Sequence, residues 1–167
     1  MLIRNSKLSD LNQIMIIFSN ARKFMAENGN PHQWSKNNWP PESLITDDIK
    51  KQKSYVCVDE NDKVLGTFYY DYGHKIEPTY NEIDNGKWIG DEVYGVVHRI
   101  ASDNVTKGVG SFCLKYAMEK AKHLRIDTHE DNKPMQNLLI KLGFKKCGII
   151  YVHEDKDPRV AFEWVGE

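Results

Sequence analysis

One stretch, Val96 to Gly110 (VVHRIASDNVTKGVG), restricts what the rest of the chain can fold into. A β-branched run through Val96, Val97 and Ile100 gives way to a polar loop and then to Lys107-Gly108-Val109-Gly110-Ser111. Beyond it Phe112, Cys113, Tyr116 and Ala117 recur at helical spacing. The pattern predicts a strand, a glycine loop and a helix N-terminus. Glycines at 108 and 110 remove two Cβ atoms where the backbone turns into the helix, so free N–H groups can converge on an anion with the helix dipole behind them. A phosphate suits such a loop, although a plain tight turn uses the same residues.

The remainder supplies one ordinary core. With 167 residues, 40% of them hydrophobic and 28% charged, the chain is expected to form a single domain spanning residues 1–167. A formal net charge of −1 provides no field to draw in nucleic acid or an anionic membrane, and neither partner is expected. Lys50-Lys51-Gln52-Lys53 and Lys145-Lys146 read as solvated faces. The chain turns polar at Arg4-Asn5, too early for a signal peptide, and no apolar run approaches the roughly 18 residues that span a bilayer, so a cytoplasmic protein is expected. Cys57, Cys113 and Cys147 offer neither a disulfide framework nor a C-x-x-C pair and read as small buried hydrophobes. The histidines show no metal-ligand spacing, and no metal is expected.

Along the chain, Leu2-Ile3-Arg4 reads as a short strand, with Ser9-Asp10 as an N-cap before the apolar stripe Leu11, Ile14, Met15, Ile17, Phe18, Ala21, Phe24 and Met25, which stops at Asn28-Gly29. Trp34 and Trp39 stand in a loop of turn formers from Asn30 to Pro41, where they either plug the core edge or line a ligand cleft. Pro41-Glu42-Ser43 starts a second helix ending near Lys53. Ser54 to Val58 and Lys63 to Tyr72 follow as a hairpin across Asp59-Glu60-Asn61-Asp62. A polar excursion from Gly73 to Gly90, with Tyr80 and Trp88, leads to the central strand from Val93. After the glycine loop come a helix to His123, a strand over Leu124 to Thr128, and a helix opened by Asp131-Asn132-Lys133-Pro134 and stopped at Gly143. Strands over Phe144 to Val152 and Arg159 to Val165 flank the charged turn His153 to Pro158. Strand and helix alternate in this half while hairpins precede it, so the sheet is mixed.

Three elements in this order resemble the GNAT superfamily of acyl-coenzyme A dependent N-acyltransferases over essentially the whole chain. They are the strand with Lys107-Gly108-Val109-Gly110, the strand leading to His129-Glu130-Asp131-Asn132, and Leu142-Gly143-Phe144 with Gly148 after it. The resemblance implies an α/β (α+β) fold with a mixed, mostly antiparallel central sheet of about seven strands flanked by helices, and acetyl-coenzyme A as co-substrate. It implies that Gly108, Gly110 and their neighbours Lys107, Val109 and Ser111 hold the pyrophosphate. It further implies that Ile100, Ala101 and Ser102 pair with the pantetheine arm, and that Asn132 contacts that arm. Two positions depart from the family: Val105 stands where Gln or Arg is usual before the first glycine, and Leu139 where a Tyr often protonates the leaving thiolate.

The activity implied is transfer of the acetyl group directly to a primary amine of a small molecule or peptide. The alternative is an acyl-coenzyme A binding domain that acts as a sensor. An alkylamine has a pKa near 10.4, so transfer needs a proton acceptor. His98, on the central strand, is the first candidate, since imidazole titrates close to working pH; alternation along the strand would otherwise turn it into a polar core pocket. Glu92 is a second candidate base or a solvated strand-end acid, and Tyr151 stands in for the absent acid or packs. Lys107 pairs with a phosphate or is solvated, and Ser111 donates to the pyrophosphate or caps the helix. Trp34, Trp39 and Tyr80 are expected to line the acceptor cleft. A homodimer stays open.

Overall fold

The computed structural model describes residues 1–31, 33–34, 38–152 and 156–166. The centre of the predicted loop around the tryptophans, at His32 and Ser35 to Asn37, and the charged turn at His153 to Asp155 lie outside the described residues. Strands β1 (Leu2–Asn5), β2 (Ser54–Val58), β3 (Val64–His74), β4 (Val93–Ser102), β5 (His123–Thr128), β6 (Lys145–Tyr151) and β7 (Pro158–Val165) form one sheet in the order β1-β2-β3-β4-β5-β7-β6. Four helices flank it: α1 (Leu11–Glu27), α2 (Glu42–Lys50), α3 (Val109–Ala121) and α4 (Lys133–Lys141). The sheet is mixed and mostly antiparallel, with β4 beside β5 in parallel at Gly95–Leu124 and Val96–Arg125. No helix among the described residues is long and apolar enough to cross a membrane. The chain divides into two compact units, Met1–Tyr70 with His98–Tyr116, and Asp71–Val97 with Ala117–Glu167.

In the first unit the stripe predicted for α1 does what its period requires. Ile14, Ile17, Phe18 and Ala21 face inward and meet Ile45 and Ile49 of α2 and Val56, Val58 and Val64 of the sheet. Asn28 closes α1 by donating its side-chain N–H to the Phe24 carbonyl at 2.8 Å. The start of α1 differs from expectation. Asp10 occupies the cap position without capping α1, because its carboxylate accepts the Lys7 backbone N–H (2.7 Å) and both ends of the Arg4 guanidinium (2.8 and 3.0 Å). A charge pair outcompetes a neutral cap for the same two oxygens. On β2 and β3, Tyr55 stacks on Phe68 at 5.3 Å, and Tyr116 of α3 leans on Tyr55 at 5.9 Å, which seats that helix.

The second unit is built around a buried carboxylate. Glu163 of β7 has no exposed side-chain surface. It accepts from His123 Nε2 (2.6 Å), Arg125 Nε (2.7 Å) and the backbone N–H groups of Ile89 and Gly90. Arg125 in turn donates to the carbonyls of Gly90 and Asp91 and is clasped between the rings of Trp88 and Tyr94. One acid therefore fastens the excursion before β4 onto β5 and β7. The three cysteines are free and buried, as their apolar surroundings predict. Burial pushes the Cys147 thiol up to about 11.

Burial alone would raise the Glu163 carboxyl, but His123, Arg125 and the two backbone donors together hold it down at about 2. A folded-state value below the ordinary 4.5 places its stabilisation above pH 4.5, to be lost as the pH falls toward 2. Glu163→Gln is expected to cost about 3 kcal/mol or more at pH 7, because Arg125 loses its buried counter-charge. Urea unfolding across this pH range checks both: the variant should show a shallower acid dependence than the parent.

Candidate active site

The glycine loop is set by an acid that sequence reading did not single out. Asp103, directly after β4, accepts from the N–H groups of Val105 (3.0 Å) and Thr106 (2.9 Å) and from the Thr106 hydroxyl (2.8 Å). An Asp followed by turn formers at the exit of a strand is the available signal, since its short side chain can close such a turn. These donors hold the Asp103 carboxyl below the usual range despite its partial burial. The chain then passes through Gly108, whose φ of +83° suits a residue without a Cβ, and enters α3. Phe112 N–H, bonded to the Gly108 carbonyl at 2.9 Å, is the first to close a helical turn. The N–H groups of Gly108, Val109, Gly110 and Ser111 precede that bond and have no partner among the described residues. Donors so placed at the positive end of a 13-residue helix are an arrangement that suits an anion. Val105 projects into solvent, 84% exposed, and contributes only its N–H to the loop.

The helix reaches this position because Gly66 of β3 leaves room. A Cβ there would come within 2.5 Å of Val109 Cγ1 and 3.0 Å of the Ala101 carbonyl. Ala101 is buried and Ile100 and Ser102 half-buried, so the strand segment assigned to the pantetheine arm adjoins the glycine turn. Ser102 turns its hydroxyl onto the loop, accepting the Asn104 N–H at 3.2 Å.

Just before it β4 breaks its alternation. In a regular strand, neighbouring side chains leave opposite faces. At Arg99, φ is +50°, and His98 and Arg99 both reach the same partner, Tyr69: the imidazole lies 5.7 Å from its ring and the guanidinium 4.6 Å from the ring centre. Arg99 also pairs with Asp48 of α2 through Nε (3.1 Å) and Nη2 (2.9 Å). Burial pushes the Asp48 carboxyl up, against the opposing pull of Arg99. Arg99, Asp48 and Tyr69 were not among the predicted site residues. Asp48 did leave a trace, falling on the buried stripe of α2 with Ile45 and Ile49.

Other predicted residues are dispersed. Glu92 precedes β4, is exposed, and is engaged by Lys75 (3.2 Å) and His74 (3.3 Å). The Lys75 ammonium, with His74 adding to it, lowers the affinity of the Glu92 carboxyl for a proton and makes it a poor base. Tyr151 ends β6, partly exposed, on a groove with Pro78, Thr79, Asn81, Glu82 and Lys156. Asn132 caps α4, its side-chain oxygen accepting the Met135 N–H at 3.2 Å. Lys107 is exposed and Ser111 half-buried in the first turn of α3.

Of the three aromatics expected to line an acceptor cleft, Trp34 and Tyr80 pack inward. Trp34 is buried edge-on to Phe18, at 5.6 Å. Tyr80, 1% exposed, lies beside Trp88 and Tyr94 and gives its hydroxyl to Asp127 at 2.6 Å. Their large apolar faces gain more from burial than a loop position suggests. Trp39 packs partly buried against the same core as Trp34. Leu139 is fully buried in α4, so no acid acts from that position.

The sequence matches no protein-family model and no curated protein. Solved structures do match. An acetyltransferase of the GNAT family from Streptococcus agalactiae 2603 is 31% identical, with a TM-score of 0.89 over 99% of this chain and 95% of that one. A candidate acetyltransferase from Staphylococcus aureus MU50 is 27% identical, with a TM-score of 0.70 over 99% of each chain. A GNAT-family acetyltransferase from Bacillus cereus ATCC 10987, 19% identical, shares the fold with a TM-score of 0.63 over 99% of this chain and 97% of that one. The chain belongs to the GNAT family of acetyltransferases.

The close approach at Gly66 predicts the behaviour of a single methyl group. Gly66→Ala should lower stability by about 1–3 kcal/mol through overpacking, and Val109→Ala added to it should recover part of that loss. Thermal unfolding of the single and double variants measures the coupling; additive losses would place Val109 away from Gly66.

Proposed function

We propose that this protein is an enzyme of the cytoplasm that binds acetyl-coenzyme A and passes its acetyl group directly to a primary amine of a small molecule or peptide. The observation that carries this reading is the run of four unpaired N–H groups from Gly108 to Ser111, a few residues along the same backbone from the imidazole of His98. The cradle receives the pyrophosphate, and Ile100 to Ser102 receive the pantetheine arm. His98 takes the proton from the amine as its nitrogen attacks the carbonyl carbon. The new C–N bond forms, the C–S bond breaks, and the thiolate leaves. With a pKa of roughly 8.5 that thiolate departs without an obligatory acid, in keeping with the buried Leu139. Tyr151 stands exposed on a groove with Pro78 and Thr79, and Glu92, held by Lys75, acts as a solvated acid outside the chemistry.

Calorimetric titration with acetyl-coenzyme A, beside dephosphorylated pantetheine, tests the cradle, and thiol release against a panel of amines tests transfer. Binding that requires the pyrophosphate, with thiol released for some amine, is the expected result. His98→Asn should lower kcat by about a hundredfold or more while leaving the affinity for acetyl-coenzyme A within about twofold. Tight binding with no turnover across the panel would replace the enzyme by a sensor.

A further inference from the structure

The Arg99–Asp48 pair is unusual in how little of the guanidinium it uses. Nε donates to Asp48 Oδ2 at 3.1 Å, and Nη2 lies 2.9 Å from the same carboxylate oxygen as an ion pair. A fork-to-fork pair would engage both oxygens. Of the five N–H groups of a guanidinium, only that of Nε makes a hydrogen bond to a described residue. Among the described residues the buried side-chain polar atoms left without a partner are Asn30 Oδ1 and Thr128 Oγ1, and no Arg99 nitrogen is one of them, the side chain being 15% exposed.

The fork is also held in place. Its central carbon lies 4.6 Å from the Tyr69 ring centre, it is paired with a nearly buried acid, and its backbone adopts φ +50°, a conformation that a residue with a Cβ adopts at a cost. That conformation directs Arg99 to the face where His98 stands. A fixed, half-spent guanidinium in a low-exposure setting is a receptor for a planar oxyanion.

Resting on the acetyltransferase reading above, we infer that the acceptor is a free amino acid, whose carboxylate is received by the remaining N–H groups of Arg99 while its amine faces His98. Two neighbouring residues brought to one ring suit two groups on the same or adjacent carbons. A peptide N-terminus carries no carboxylate at that spacing.

The test uses the full chain with coenzyme A present. Saturation-transfer NMR would follow free amino acids, each beside its carboxamide and a dipeptide that begins with it. Wild type is expected to bind at least one amino acid about tenfold to a hundredfold more tightly than its carboxamide. In the double variant Arg99→Gln with Asp48→Asn, which leaves no buried charge unpaired, that ratio should collapse to within about threefold, and Arg99→Lys should fall between. Equal binding of acids and carboxamides, binding of neither, or a preference that survives the double variant would overturn the inference. Thiol release separates the two readings. Turnover of amines without preference for the acid leaves the transferase standing and removes the amino acid. Preferential binding of acids with no acetyl transfer does the reverse.

Discussion

A strand that keeps its alternation can present one side chain to a given neighbour and must turn the next away. β4 gives up that rule at a single residue, and the site depends on the exchange. The left-handed φ of +50° at Arg99 is a conformation that a residue with a Cβ adopts at a cost, and here the ion pair to Asp48 and the contact with Tyr69 offset it. His98 and Arg99 thereby share a face. Three residues further on, the backbone becomes the loop that Asp103 ties, so His98, Arg99 and the glycine turn into α3 occupy one continuous run of chain. Gly66 lets this run lie flat against its neighbour, because any side chain there would push α3 away.

Regular elements were legible in the sequence wherever burial followed a period. The stripe of α1, the strand Ser54–Val58 and the glycine loop leading into α3 all stand within a residue or two of where spacing put them. The resemblance to GNAT proteins added the connection among them. What period does not encode is competition among polar partners. Asp10 resembles a helix cap in sequence, yet binds Arg4 from a separate strand. Tyr80 and Trp34 are loop residues and were expected to face a ligand, but a large ring beside other rings is better buried. Arg99 was passed over beside the more conspicuous His98. Its importance arises from a backbone angle and from Asp48, 51 residues away, neither of which a local pattern contains.

The two units hold themselves together by different means. The first relies on apolar residues from α1, α2 and the sheet, supplemented by an aromatic group on β2 and β3. Such a core tolerates substitution so long as volume is preserved. The second turns on Glu163, with four donors converging on one carboxylate. Geometry matters more than volume there, since a displaced donor leaves a charge without a partner in a dry interior. The irregular segment before β4 has few apolar residues of its own and takes its shape from that acid.

The burial of every cysteine has a consequence for the protein's covalent life. Cys57, Cys113 and Cys147 are at most 8% exposed, and buried thiols are inert toward oxidants and disulfides in solution. If each turnover frees a small-molecule thiol beside the protein, that thiol meets no accessible sulfur with which to form a mixed disulfide. The chain can therefore work through changes in the surrounding thiol–disulfide balance without being modified by its own product or cross-linked to a second copy.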